Sequence, residues 1–164
     1  MSALPTSATA RGVIRTMQIA DLDAVLAIEP RAYSVPWTRG NFIDSLAAGY
    51  LARVLCDPDG KVLGYFLAML GVGELHLLNI TVSPECQGRG HALGLLDALL
   101  ELCHGQGCGQ IWLEVRQSNE RARRIYRRYG FAEVGQRRGY YPCADGTRED
   151  AVLMSLNLHA GTQA

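Results

Sequence analysis

Apolar residues recur along this chain first every three or four positions and then every two. Leu22, Val25, Leu26 and Ile28 lie on helical spacing, which predicts a first helix from about Asp21. Pro30 should end or kink it, because proline lacks the amide hydrogen and collides with the preceding turn. After a loop through Tyr33, Pro36 and Trp37, Thr38 can cap a second helix carrying Phe42, Ile43 and Leu46, with Gly40 weakening its start. The period then becomes that of strands. Residues 50–56 and 61–70 flank Asp57-Pro58-Asp59-Gly60, whose proline and glycine suit a tight turn, and residues 74–82 follow the short Gly71-Val72-Gly73 connection. Three neighbouring antiparallel strands are predicted.

Beyond Val82 helix and strand alternate. Leu96, Leu99, Leu100 and Cys103 form the stripe of an amphipathic helix, and residues 111–115 read as a buried strand. Ala122, Ile125, Tyr126 and Tyr129 share one face of a further helix, capped by Ser118 or Asn119 and ended by Gly130. Two closing strands are expected over residues 132–140 and 148–156. This order predicts an α/β fold, a mixed sheet with helices on both faces.

The 164 residues suit one domain, expected over residues 13–158, with tails at 1–12 and 159–164. Sixteen basic residues balance sixteen acidic ones, which argues against a protein that binds nucleic acid by neutralising many phosphates. Five cysteines, an odd number without a repeating interval, make a disulfide framework a poor reading and favour a reducing compartment. Residues 1–12 lack a signal-peptide core and no segment has eighteen uninterrupted apolar residues, so a cytoplasmic protein without membrane contact is expected. Cys103, His104 and Cys108 lie close together, but a zinc site needs a fourth suitably spaced ligand, and no metal is expected. Eight of the fifteen arginines fall from Arg116 to Arg138, a pattern more often a solvated helix face than a phosphate site.

The sharpest local feature is Gln87-Gly88-Arg89-Gly90-His91-Ala92, between a predicted strand and a predicted helix. Glycines leave amide hydrogens uncovered and a helix N-terminus adds partial positive charge, so the loop could hold a pyrophosphate without any lysine. It is not a Walker loop, for no lysine followed by Ser or Thr comes after the glycines, and the dinucleotide fingerprint fails at Leu93, one residue before Gly94. A loop that merely turns the chain remains the alternative.

Gln87, Gly90 and Ala92 fill the acetyl-coenzyme A loop pattern of the GCN5-related N-acetyltransferase (GNAT) superfamily, which the chain resembles from about Ile14 to Leu156. The resemblance narrows to the bacterial ribosomal-protein-alanine N-acetyltransferases at several segments. These are Arg31-Ala32-Tyr33 with Pro36-Trp37, Leu78-Asn79-Ile80-Thr81-Val82, Trp112-Leu113-Glu114-Val115-Arg116 with Ser118-Asn119, and Tyr126 with Gly130-Phe131. Arg137-Arg138 with Tyr140-Tyr141-Pro142, Asp145-Gly146 and Arg148-Glu149-Asp150-Ala151 complete the set. The resemblance implies a mostly antiparallel sheet splayed between its fourth and fifth strands, with acetyl-CoA as co-substrate lodged there.

It further implies roles. Glu114 matches the general base and Tyr126 the general acid that returns a proton to the coenzyme thiolate. The backbone of Ile80, Thr81 and Val82 matches the holders of the acetyl carbonyl and pantetheine arm, and Gln87, Gly88, Arg89, Gly90, His91, Ala92, Leu93 and Asn119 match coenzyme contacts. Tyr33, Pro36, Trp37, Tyr140 and Tyr141 are implied as walls of a peptide groove. The implied acceptor is the N-terminal alanine of the eighteenth small-subunit ribosomal protein; the sequence does not give the oligomeric state, a monomer being the default expectation. An α-amine, with a pKa of ~7.7–8.0 against ~10.4 for lysine, needs only modest base assistance. From the residues alone, Glu114 could instead pair with Arg116, two residues on and on the same strand face. Tyr126 could be core, and Asn119 only a cap. Lysine or small-amine acetylation, or a non-catalytic acyl-CoA module, are the competing functions. Pro30, His91 and Cys143 depart from the family pattern.

Overall fold

A computed structural model describes residues 12–158, so the expected tails at 1–12 and 159–164 lie outside it except for Gly12. Seven strands form one mixed sheet in the order β1-β2-β3-β4-β5-β7-β6. They are β1 (Val13–Thr16), β2 (Leu51–Cys56), β3 (Val62–Leu70), β4 (Glu74–Val82), β5 (Gln110–Arg116), β6 (Ala132–Pro142) and β7 (Arg148–Asn157). The helices are α1 (Leu22–Ala32), α2 (Arg39–Ala47), α3 (His91–Gly105) and α4 (Glu120–Tyr129). By contacts the chain divides into two compact units, one of residues 12–68 and 79–98, the other of 69–78 and 99–158. No described helix is long and apolar enough to cross a membrane.

In the first unit β1 and β3 each pair antiparallel with β2. The β2–β3 turn closes as its residues dictate: Asp57 Oδ1 accepts the amides of Asp59 and Lys61. Short β1 was not among the expected strands, since four residues show too little alternation to register. Leu22, Val25 and Ile28 of α1 pack with Phe42 of α2 and with Val54, Tyr65 and Leu67 of the sheet in one apolar cluster. Thr38 caps α2 as expected, its hydroxyl accepting from the Asn41 amide.

Pro30 does not cut α1 short, for the helix runs on to Ala32. The proline forgoes its own bond to the Leu26 carbonyl, and the helix continues for two residues beyond it. Arg31 turns its Nε–H back onto the Ala27 carbonyl at 3.0 Å, and the Tyr33 amide closes on Glu29.

Glu29 lies on the buried stripe of α1 and is 1% exposed. Its Oε1 accepts from the Tyr65 hydroxyl at 2.6 Å and the Asn79 amide at 3.2 Å, and its Oε2 from the Trp37 amide at 2.9 Å. Asn79 in turn accepts from Thr81 at 2.7 Å. One buried carboxylate therefore joins α1, the loop before α2, β3 and β4. Burying a charge is costly unless its oxygens are fully bonded, which three donors achieve here.

In the second unit β4 and β5 run parallel, with Glu74–Leu77 opposite Gln110–Leu113. The β5 strand pairs antiparallel with β7, and β7 with β6. Leu75, Leu77, Ile111, Leu113, Val115 and Met154 are buried, the alternation expected of half-buried strands. The five cysteines are free thiols, and Cys103 places its sulfur against the carbonyls of Cys108 and Gln110.

Replacing Glu29 by alanine strands three donors, two of them in buried bonds. Glu29→Ala should cost roughly 3 kcal/mol in urea unfolding, and a loss below about 1 kcal/mol would contradict the role given to this carboxylate.

Candidate active site

The first unit carries the glycine loop. Thr81 and Val82 at the end of β4 are buried, and Gln87 donates its side-chain amide to the Val82 carbonyl at 3.3 Å, so the expected loop residue ties the loop to the strand it leaves. Gly88 and Gly90 hold φ of 81° and 82°. A Cβ at either meets nothing within 4 Å, so it is the backbone turn, not crowding, that selects glycine. The Gly94 amide bonds the Gly90 carbonyl as α3 begins, which leaves the amides of His91, Ala92 and Leu93 ahead of the helical ladder. This set of amides, on a 15-residue helix and beside exposed Arg89, suits an anionic pyrophosphate. Burial and then the Arg89 cation push the His91 imidazole below its ordinary range, which favours its neutral form.

Two residues expected in a peptide groove have structural partners in the same unit. The Tyr33 hydroxyl lies 2.9 Å from the Ile80 carbonyl and 2.7 Å from Thr81 Oγ1, and burial pushes it up to about 12. Trp37 stacks at a tilt on Phe42, ring centroids 5.1 Å apart, and its amide is held by Glu29. Pro36 between them is half-buried.

The second unit carries the candidate acid–base residues. Glu114 on β5 is 7% exposed at its side chain. Its Oε1 meets His76 Nε2 at 2.7 Å and its Oε2 meets Arg137 Nε at 3.3 Å. The ion pair with Arg116 that spacing allowed is not formed. Arg116 instead reaches Glu149 at 3.1 Å and the Pro142 carbonyl at 2.8 Å, with its guanidinium 4.6 Å over the Tyr141 ring. Arg137 lies 5.4 Å over Tyr140, and the two tyrosine rings meet edge to face at 5.0 Å. The aromatic hairpin is thus braced by two arginines, one of which also touches Glu114.

Tyr126 is buried on α4 against Phe131, centroids 5.8 Å apart. Asn119 caps α4 by accepting from the Ala122 amide, while Ser118, the other candidate cap, donates its amide to Glu149 at 2.7 Å. Of the arginine run, Arg123 and Arg127 converge on Glu133. His76 was missed in the sequence, although its place on the same alternating face of β4 as Glu74 and Ile80 was a usable signal.

Residues 22–131 match the acetyltransferase (GNAT) family. The chain belongs to that family. The GNAT chain is 36% identical over 146 residues to the [ribosomal protein bS18]-alanine N-acetyltransferase of Haemophilus ducreyi, covering 89% of this chain and 100% of that one. It superposes on the crystal structure of the ribosomal-protein-S18-alanine N-acetyltransferase from Escherichia coli with a TM-score of 0.82 at 36% identity, covering 90% and 94% of the two chains. A GNAT phosphinothricin acetyltransferase from Sinorhizobium meliloti, solved with AcCoA, shares the fold at a TM-score of 0.76 and 23% identity, covering 94% and 92%. The GNAT assignment makes the protein an acetyltransferase and acetyl-CoA its donor.

Hydrogen bonds from Ser118, followed by the Arg116 guanidinium, hold the Glu149 carboxyl below the ordinary carboxylate range against the opposite pull of burial. A depressed folded-state pKa contributes stability that is complete above the unfolded pKa, ~4.3, and fades as pH falls through the folded value. Glu149→Gln should therefore lower stability by a constant amount at pH 6–8, with the gap to wild type narrowing below about pH 4.5. Denaturant midpoints across pH check this, and a gap that widens in acid would contradict it.

Proposed function

We propose that this protein transfers the acetyl group of acetyl-CoA to the N-terminal α-amine of a protein, the N-terminal alanine of ribosomal protein bS18, in the cytoplasm. One observation carries the chemistry: a buried carboxylate, Glu114, fixed at both oxygens on the strand that follows the glycine-loop helix. The acceptor rests on the alanine N-acetyltransferases that match nearly the whole chain.

Direct transfer from a thioester to an amine makes three demands. The amine must lose a proton, the carbonyl oxygen must be stabilised as charge builds on it, and the thiolate must gain a proton. Glu114 takes the amine proton, directly or through a water. The amides of Ile80 to Val82, on the strand braced through Asn79 and Thr81, hold the carbonyl and the pantetheine arm. Tyr126 supplies the proton to sulfur, a transfer between a phenol of pKa ~10 and a thiol of ~8.5. Residues 87–93 hold the pyrophosphate, and Asn119, besides capping its helix, meets the coenzyme. Tyr33, Pro36, Trp37, Tyr140 and Tyr141 border the acceptor. Metal chemistry and nucleic acid have no part in this reading.

Steady-state kinetics on an alanine-starting peptide test it. Glu114→Gln and Tyr126→Phe should each slow acetylation by roughly 10²–10⁴-fold while calorimetric acetyl-CoA binding stays near wild type. The same peptide with a blocked N-terminus should gain no acetyl group. Wild-type rates in both variants, or labelling of the blocked peptide, would overturn the reading.

A further inference from the structure

We infer that His76 is a positioning residue, whose Nε2–H holds the Glu114 carboxylate in its working orientation. This rests on the reading of Glu114 as the base. The register of the parallel ladder brings the residues together: His76 on β4 is opposite Trp112 on β5, and Glu114 lies two residues beyond Trp112 on the same face of β5. The imidazole stacks on the Trp112 indole with centroids 3.7 Å apart and planes within 10°. The indole is itself pinned, donating Nε1–H to Glu74 Oε2 at 2.7 Å. The chain Glu74, Trp112, His76, Glu114 is thus continuous, and each link fixes the next.

Its last link is the 2.7 Å contact between His76 Nε2 and Glu114 Oε1. An ionised carboxylate only accepts hydrogen bonds, so the hydrogen in that contact belongs to Nε2. Arg137, 49% exposed and 3.3 Å away, is a looser partner for the other oxygen. The orientation of the carboxylate is therefore set chiefly from the His76 side, whose ring is 12% exposed and cannot rotate without leaving Trp112. A base must meet its proton within narrow limits of distance and angle, and misplacement by about 1 Å costs on the order of 10²-fold in rate.

Two substitutions separate the hydrogen bond from the stack. His76→Phe keeps a flat ring for Trp112 and removes the donor, whereas His76→Gln keeps a donor and removes the ring. On an alanine-starting peptide, His76→Phe should lower kcat roughly 10- to 100-fold with KM for peptide and acetyl-CoA near wild type, and His76→Gln should recover most of that loss. In a Glu114→Gln background His76→Phe should add no further loss, because its effect passes through Glu114. Melting temperatures check that each variant folds. If His76→Phe turns over like wild type, if His76→Gln is the slower of the two, or if the losses multiply in the double variant, the inference is overturned. Failure of the underlying reading looks different: Glu114→Gln alone would then be as fast as wild type.

Discussion

The parallel pairing of Glu74–Leu77 with Gln110–Leu113 is the constraint on which the candidate chemistry depends. Side chains alternate along a strand, so this register puts His76, Trp112 and Glu114 on one face, and a slip by one residue would turn each strand's set away. The same β4 strand then supplies Asn79 and Thr81 to the buried network around Glu29. One strand thus carries two polar assemblies, each tied to a different part of the chain. Its burial alternates along most of its length, which keeps apolar anchors such as Leu75 and Leu77 between the polar positions.

The two buried carboxylates are satisfied in different ways, and the difference matches the roles proposed for them. Glu29 receives a hydroxyl, a side-chain amide and a backbone amide, donors that hold it without offering a place for a proton to go. Its contribution is architectural, since removing it leaves those donors without an acceptor in a region that water does not reach. Glu114 has an imidazole on one oxygen and a half-exposed guanidinium on the other, a setting that orients it. In the role proposed for it, as the base, Glu114 would exchange a proton in every cycle.

Much of the fold could be read from residue pattern. The stripes of α1, α3 and α4, the Asp57–Gly60 turn, the Thr38 cap and the closing strands follow from local periodicity and turn chemistry, and the structure has them all. What escaped was set by contacts distant in sequence. Strand β1 exists because β2 offers it an edge, and α1 passes Pro30 because Arg31 and Tyr33 complete its last turn. At the site, the glycine loop stood out by its motif, whereas Glu114 stood out only through the family resemblance, its spacing alone favouring a pair with Arg116. The partners of Glu114 were not legible: Arg116 is near in sequence but goes to Glu149, while His76 is 38 positions away and is brought in by strand register. Glu29 left a visible trace, a charge on an otherwise apolar helix stripe, but only the fold shows that three donors meet it there.

The proposed reaction is selective acetylation of an α-amine, a group that is appreciably neutral near pH 7 where a lysine side chain is not. Tandem mass spectrometry of one peptide that starts with the alanine end of bS18 and also contains an internal lysine, after limited turnover with acetyl-CoA, tests it most directly. A single acetyl group on the N-terminal nitrogen is expected. Acetyl groups found first or equally on the lysine would contradict it.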